Sequence, residues 1–133
     1  MKIAFYESQE LNEIGGQLVP ELFQNVPIKI KFLLVSGQIS YAGKVLKASP
    51  VLKFMTGYDL IVLINKDVWE KLPRNYREAL VFHELYHIQV KGDKISLRKH
   101  DVEEFIRVVE RYGPWTDALK IIQEILTRKE VPR

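Results

Sequence analysis

The chain has 133 residues, 47% of them hydrophobic, and carries a formal net charge of +3, enough apolar material for one whole soluble domain over residues 1–133. No apolar run approaches the roughly 20 residues of a membrane span, and the start from Met1 to Glu7 turns polar too early for a signal peptide, so a cytoplasmic location is expected. With no Cys, disulfides and thiolate metal sites are excluded, and the scattered Lys and Arg form no stripe of the kind that binds nucleic acid, so a solvated charged surface is expected.

The first predicted element is a helix carried by Leu11, Ile14, Leu18 and Leu22 and ending before Pro27, with Gly15 and Gly16 each costing about 1 kcal/mol in its middle. Ile28 to Val35 alternates and then becomes continuously apolar, which predicts a strand entering a sheet. Gly37 and Gly43 punctuate the next stretch, and Tyr41 to Ala48 predicts a second strand closed by Pro50. Tyr58 to Ile64, rich in β-branched residues after Gly57, is the clearest strand and leads through Asn65, Lys66 and Asp67 to a long helix.

That helix is predicted from about Asn75 to Lys91, with Pro73 near its first turn, Asn75 and Glu78 as a capping box, and Gly92 as its stop. Its inward stripe is Ala79, Phe82, His83, Tyr86, His87 and Val90, which predicts that both imidazoles are buried. A polar connection from Asp93 to Lys99 should come next. Asp101 and Glu104 then form a second capping box for a helix with Val102, Phe105, Ile106 and Val109 on its stripe, ended by Gly113 and Pro114. A last helix packs Trp115, Leu119, Ile122 and Leu126. Strands first and helices afterwards predict an α+β fold.

Within the long helix lies His83-Glu84-Leu85-Tyr86-His87, which holds two of the three His in the chain. Residues four apart stand one turn above each other, so His83 and His87 can chelate a single ion. Glu84 lies about 100° further round, where a carboxylate reaches a water on the metal more easily than the metal itself. A lone buried His is usually a satisfied core residue. Two stacked imidazoles are different, because both cannot be cationic in an apolar setting at low cost, and the neutral form is the one that binds zinc.

A catalytic zinc takes three protein ligands and keeps a fourth position open, so a further ligand must come from elsewhere. His100, just before the second capping box, is the first candidate, followed by Glu104, then Asp101 and Glu103; Asp101 could instead cap the helix or orient an imidazole. If His100 is spent on metal, the group that stabilises a developing oxyanion is a Tyr or Arg or the zinc alone, and Tyr86, Tyr112, Arg98 and Arg107 are near in sequence. Core packing is the ordinary role of each tyrosine.

The stretch from His83 to Ile88, with Arg98 to Phe105 and Tyr112-Gly113-Pro114-Trp115, resembles the metallopeptidases encoded by phages and prophages, members of the zincin superfamily. The likeness is tightest from Ala79 to Trp115. It implies a small zincin-like metalloprotease domain in which a short mixed sheet packs on the metal helix and further helices follow toward the C-terminus. It implies Zn²⁺ bound by His83, His87 and His100, with Glu84 as catalytic base. It also suggests that the strand from Leu60 to Ile64 lies at the sheet edge, where an extended substrate would add as a further strand.

The expected activity is therefore hydrolysis of a peptide bond in a polypeptide substrate by zinc-activated water. Two other classes fit a zincin scaffold: a non-catalytic interaction module whose metal is structural or missing, and a DNA-associated regulatory protein using its mild basicity. Neither has a sequence feature comparable to the pentapeptide.

Overall fold

The computed structural model describes residues 2–98 together with Arg111, Tyr112 and Ile125. The described chain runs β1 (Ala4–Tyr6), α1 (Gln9–Leu22), β2 (Ile30–Ser36), β3 (Gly43–Lys47), α2 (Pro50–Thr56), β4 (Leu60–Asn65), α3 (Lys66–Lys71), α4 (Arg74–Tyr86), β5 (Ile88–Lys91) and β6 (Lys94–Leu97). This is a mixed α+β fold with a small mixed sheet, as the sequence predicts. The helices expected beyond Lys99 lie outside the described residues, apart from Arg111, Tyr112 and Ile125, which are helical.

The main sheet has the order β1-β2-β4-β3, with β2 and β4 parallel and the two outer strands antiparallel to their neighbours. Alternation along β4 sends Leu60, Val62 and Ile64 into the core beneath the helices and Leu63 into a smaller cluster with Val35 and Ile39 on the opposite face. The helix side of that core takes Leu11, Ile14 and Leu18 from α1, Val68 and Trp69 from α3, and Leu80, Val81 and Leu85 from α4. Glu10 of α1 is gripped by Arg74 and Arg77, which ties the start of α4 to α1. No helix of the described residues is long and apolar enough to cross a membrane.

Several boundaries differ from the sequence reading. Pro50 does not close a strand; with Ser49 as N-cap accepting from the Leu52 N–H, it opens α2 at the position where its missing N–H costs nothing. The strands β1, β5 and β6 and the helix α3 also went unpredicted, being only three to six residues long. At the start of α4 the predicted capping box is not formed. Pro73 is the N-cap and its carbonyl accepts from Tyr76 and Arg77, while Glu78 pairs with Arg74 at 3.5 Å.

The strand from Leu60 to Ile64 is not at the sheet edge. It is flanked by β2 and β3, and its near-continuous burial matches an interior strand. The edge nearest α4 is β3 instead. In its antiparallel pairing with β4, Asn65 donates to the Ala42 carbonyl at 2.8 Å and Ala48 donates to the Asp59 carbonyl at 2.9 Å. Backbone groups alternate in direction, so those of Gly43, Val45 and Lys47 face away from β4 toward the outer edge.

Candidate metal centre

The helix α4 is buried around most of its second half, with Ala79, Leu80, Val81, Phe82, Glu84 and Leu85 all enclosed. The two histidines are half-buried rather than buried, and Glu84 is the enclosed member of the group at 5% exposure. This reverses the expectation from the apolar stripe. Packing against α1 and β3 occupies more of the helix circumference than a single stripe, and the imidazoles occupy its more open side.

The helix ends at Tyr86, five residues short of the predicted Lys91. Ile88 and Val90 alternate with Gln89 and Lys91, a period-two pattern with β-branched residues, and the chain turns into a hairpin through Gly92 and Asp93. Gly92 has φ +63°, at the first central position of the two-residue loop. It is thus a hairpin glycine and not a helix stop.

His87 is the C-cap, and its N–H donates to the carbonyls of Glu84 and Leu85. The hairpin returns Arg98 beside it, where the Arg98 N–H donates to the His87 carbonyl at 2.6 Å and the Arg98 carbonyl lies 2.7 Å from His87 Nδ1. A carbonyl oxygen can only accept, so Nδ1 carries the proton. In the neutral ring Nε2 is then the unprotonated nitrogen, the form in which imidazole ligates a metal.

His83 and His87 have ring centroids 5.0 Å apart with planes at 82°. Glu84 Oε2 lies 3.9 Å from His83 Nε2. One nitrogen from each imidazole and one Glu84 oxygen all fall within 4.8 Å of one another, a group compact enough to hold a metal ion. Two borderline nitrogen donors beside a carboxylate suit zinc and its first-row neighbours better than magnesium or calcium. The predicted third ligand His100 lies outside the described residues, as do Asp101, Glu103, Glu104 and Arg107.

The other residues weighed for the oxyanion are placed by aromatic packing. Phe82 stacks on Tyr86 with centroids 6.1 Å apart and meets Tyr112 edge-on at 5.6 Å, while the Arg98 guanidinium lies 4.5 Å over the Tyr86 ring. Burial pushes the Tyr112 hydroxyl up from its usual value despite the neighbouring Arg111.

Two participants escaped the sequence reading. The Arg98 carbonyl is a backbone group with no signature. Gly43, where a built Cβ would fall 2.7 Å from Glu84 Cδ and 2.8 Å from its Oε2, had one: a glycine inside a strand marks close approach by another group.

Comparison with known proteins agrees with this geometry. No curated protein and no solved structure matches the chain significantly. A family model described as putative phage metallopeptidase matches residues 3–127, nearly the whole chain. The chain therefore belongs to the putative phage metallopeptidase family.

Proposed function

We propose that this protein is a zinc-dependent peptidase in which His83, His87 and His100 hold the ion and Glu84 is the general base. The observation that carries the reading is the state of His87. Its Nδ1 proton is committed to the Arg98 carbonyl, which makes Nε2 the unprotonated nitrogen of the neutral ring, and another imidazole and an enclosed carboxylate stand beside it. A core histidine satisfied by hydrogen bonding would have no reason to sit in such company.

A zinc ion held there supplies Lewis acidity, lowering the pKa of water towards about 7 and polarising a scissile carbonyl. Glu84 takes the proton from water and returns it to the leaving amine, and its burial excludes competing solvent from the carboxylate. His87 is oriented by the hairpin rather than by helix geometry alone.

The choice of His100 as third ligand is supported by the return of the chain. Arg98 is hydrogen-bonded to His87, and two residues span at most about 7 Å, so the length of chain after Arg98 permits His100 as a ligand. Glu104, Asp101 and Glu103 come after it in order, because imidazole nitrogen is the commoner partner of a two-His zinc centre.

The substrate is an extended polypeptide, supported by the outer edge of β3, where Gly43, Val45 and Lys47 turn backbone groups outward and Gly43 stands beside Glu84. A cytoplasmic site of action belongs to the same proposal.

The test is elemental analysis of the wild type, Glu84→Gln and His100→Ala, purified without a metal-affinity tag. Near one zinc per chain is expected in the first two and a clear loss in the third. Glu84→Gln should also cut hydrolysis of labelled casein by about 10²–10⁴-fold while keeping its metal. No metal after zinc is added back would overturn the peptidase reading in favour of a non-catalytic interaction module.

A further inference from the structure

We propose that Gly43 is a positioning residue, one whose missing side chain sets where the Glu84 carboxylate stands. The inference rests on the metallopeptidase reading for its functional meaning, but the contact itself does not. A Cβ at position 43 would lie 2.7 Å from both Cγ and Cδ of Glu84 and 2.8 Å from Oε2, closer than real Cβ contacts. Strand alternation accounts for the direction: Gly43 and the buried Val45 share the β3 face turned toward α4.

Which partner would yield is decided by how each is anchored. The strand is held at its entry by Asn65, fully buried, whose side-chain amide donates to the Tyr41 carbonyl at 3.1 Å and whose N–H donates to the Ala42 carbonyl at 2.8 Å. On the other side, the backbone of α4 is locked by Leu80, Val81 and Leu85 in the core. The soft coordinates left between them are the χ angles of Glu84. A methyl group at position 43 therefore moves the carboxylate, and a general base displaced by about 1 Å loses much of its effect. The missing side chain of Gly43 acts through Glu84, apart from any pairing of its backbone with substrate.

The first experiment is a double-mutant cycle in the metal-free protein, reading the thermal unfolding midpoints of wild type, Gly43→Ala, Glu84→Ala and the double variant. Gly43→Ala should lower the midpoint by about 5 °C when Glu84 is present. Beside Glu84→Ala it should leave the midpoint unchanged or raise it, since the methyl group then finds space and the unfolded chain loses freedom. Equal shifts in both backgrounds would overturn the proposal.

The second measurement is the visible absorption of the cobalt-substituted proteins at equal occupancy. Gly43→Ala should take up one cobalt and give a spectrum shifted from wild type toward that of Glu84→Gln. A wild-type spectrum would mean the carboxylate has not moved and would overturn the proposal alone. Failure of the wild type to bind either cobalt or zinc would instead remove the metallopeptidase reading, and with it the centre that Gly43 serves.

Discussion

The Nδ1 of His87 faces the Arg98 carbonyl oxygen at 2.7 Å, so the second histidine of the motif is oriented by the residue that follows the far strand of a hairpin beginning at the very next residue. The same hairpin returns the Arg98 N–H to the His87 carbonyl, closing the ladder at the base of β5 and β6. The ring orientation of this candidate ligand thus depends on tertiary pairing as well as on helical spacing.

That dependence can be tested remotely, at Gly92. A Val there would have to adopt φ +63° at a cost of roughly 1–2 kcal/mol, loosening the hairpin without touching the centre. Gly92→Val should weaken zinc binding about 10-fold or more, measured by competition with a chelator. Unchanged affinity in a protein whose β5 and β6 amides exchange faster would show that His87 does not need the Arg98 carbonyl.

The adjacent glycines of α1 should respond oppositely to the same substitution. A Cβ on Gly15 would lie 2.5 Å from the Phe32 ring, whereas one on Gly16 meets nothing within 4 Å. Gly15→Ala should destabilise by about 1–3 kcal/mol through overpacking, and Gly16→Ala should stabilise by up to about 1 kcal/mol through helix propensity. Urea unfolding of the two variants checks both signs.

Asn65 joins three elements from a fully buried position. Its side-chain oxygen accepts from the N–H groups of Asp67 and Val68 at the start of α3, and its amide donates to the Tyr41 carbonyl. Asn65→Ala should cost about 2–3 kcal/mol in urea unfolding, a lost helix cap plus an unsatisfied acceptor. Asn65→Asp keeps the cap but loses the donor, so it should also destabilise and disturb the loop leading into Gly43.

Asp59 gives the fold an acid sensitivity. Burial would raise its pKa, but the Lys53 ammonium at 2.8 Å and the Lys29 N–H at 2.8 Å outweigh that and hold it below the usual value. The unfolded state therefore binds the proton more readily, so this contribution is present above the unfolded pKa near 3.8 and is lost as pH falls through the lower folded value. Stability measured from pH 6 to pH 2 should fall less steeply in Asp59→Asn. An identical slope in the two proteins would assign the acid sensitivity to other groups.

Elements whose periodicity is long and whose chemistry is local were legible in the chain alone. The stripe of Leu11, Ile14 and Leu18 predicted α1, the β-branched run before Asn65 predicted β4, and the spacing of His83, Glu84 and His87 predicted their clustering, which the structure places at the last turn and C-cap of α4. These rest on 3.6- and 2-residue repeats, which need no partner to be read. Local pattern could not determine which strand forms the edge, where α4 stops, or which imidazole nitrogen is protonated. Those were decided by pairing across distance: β4 is interior because β3 folds back beside it, α4 yields after Tyr86 to a hairpin, and the His87 proton is fixed by a carbonyl eleven residues away. Gly15 shows the same division. Its helical cost was legible locally, but the Phe32 ring that excludes a side chain comes from β2, and only the packed fold brings it there.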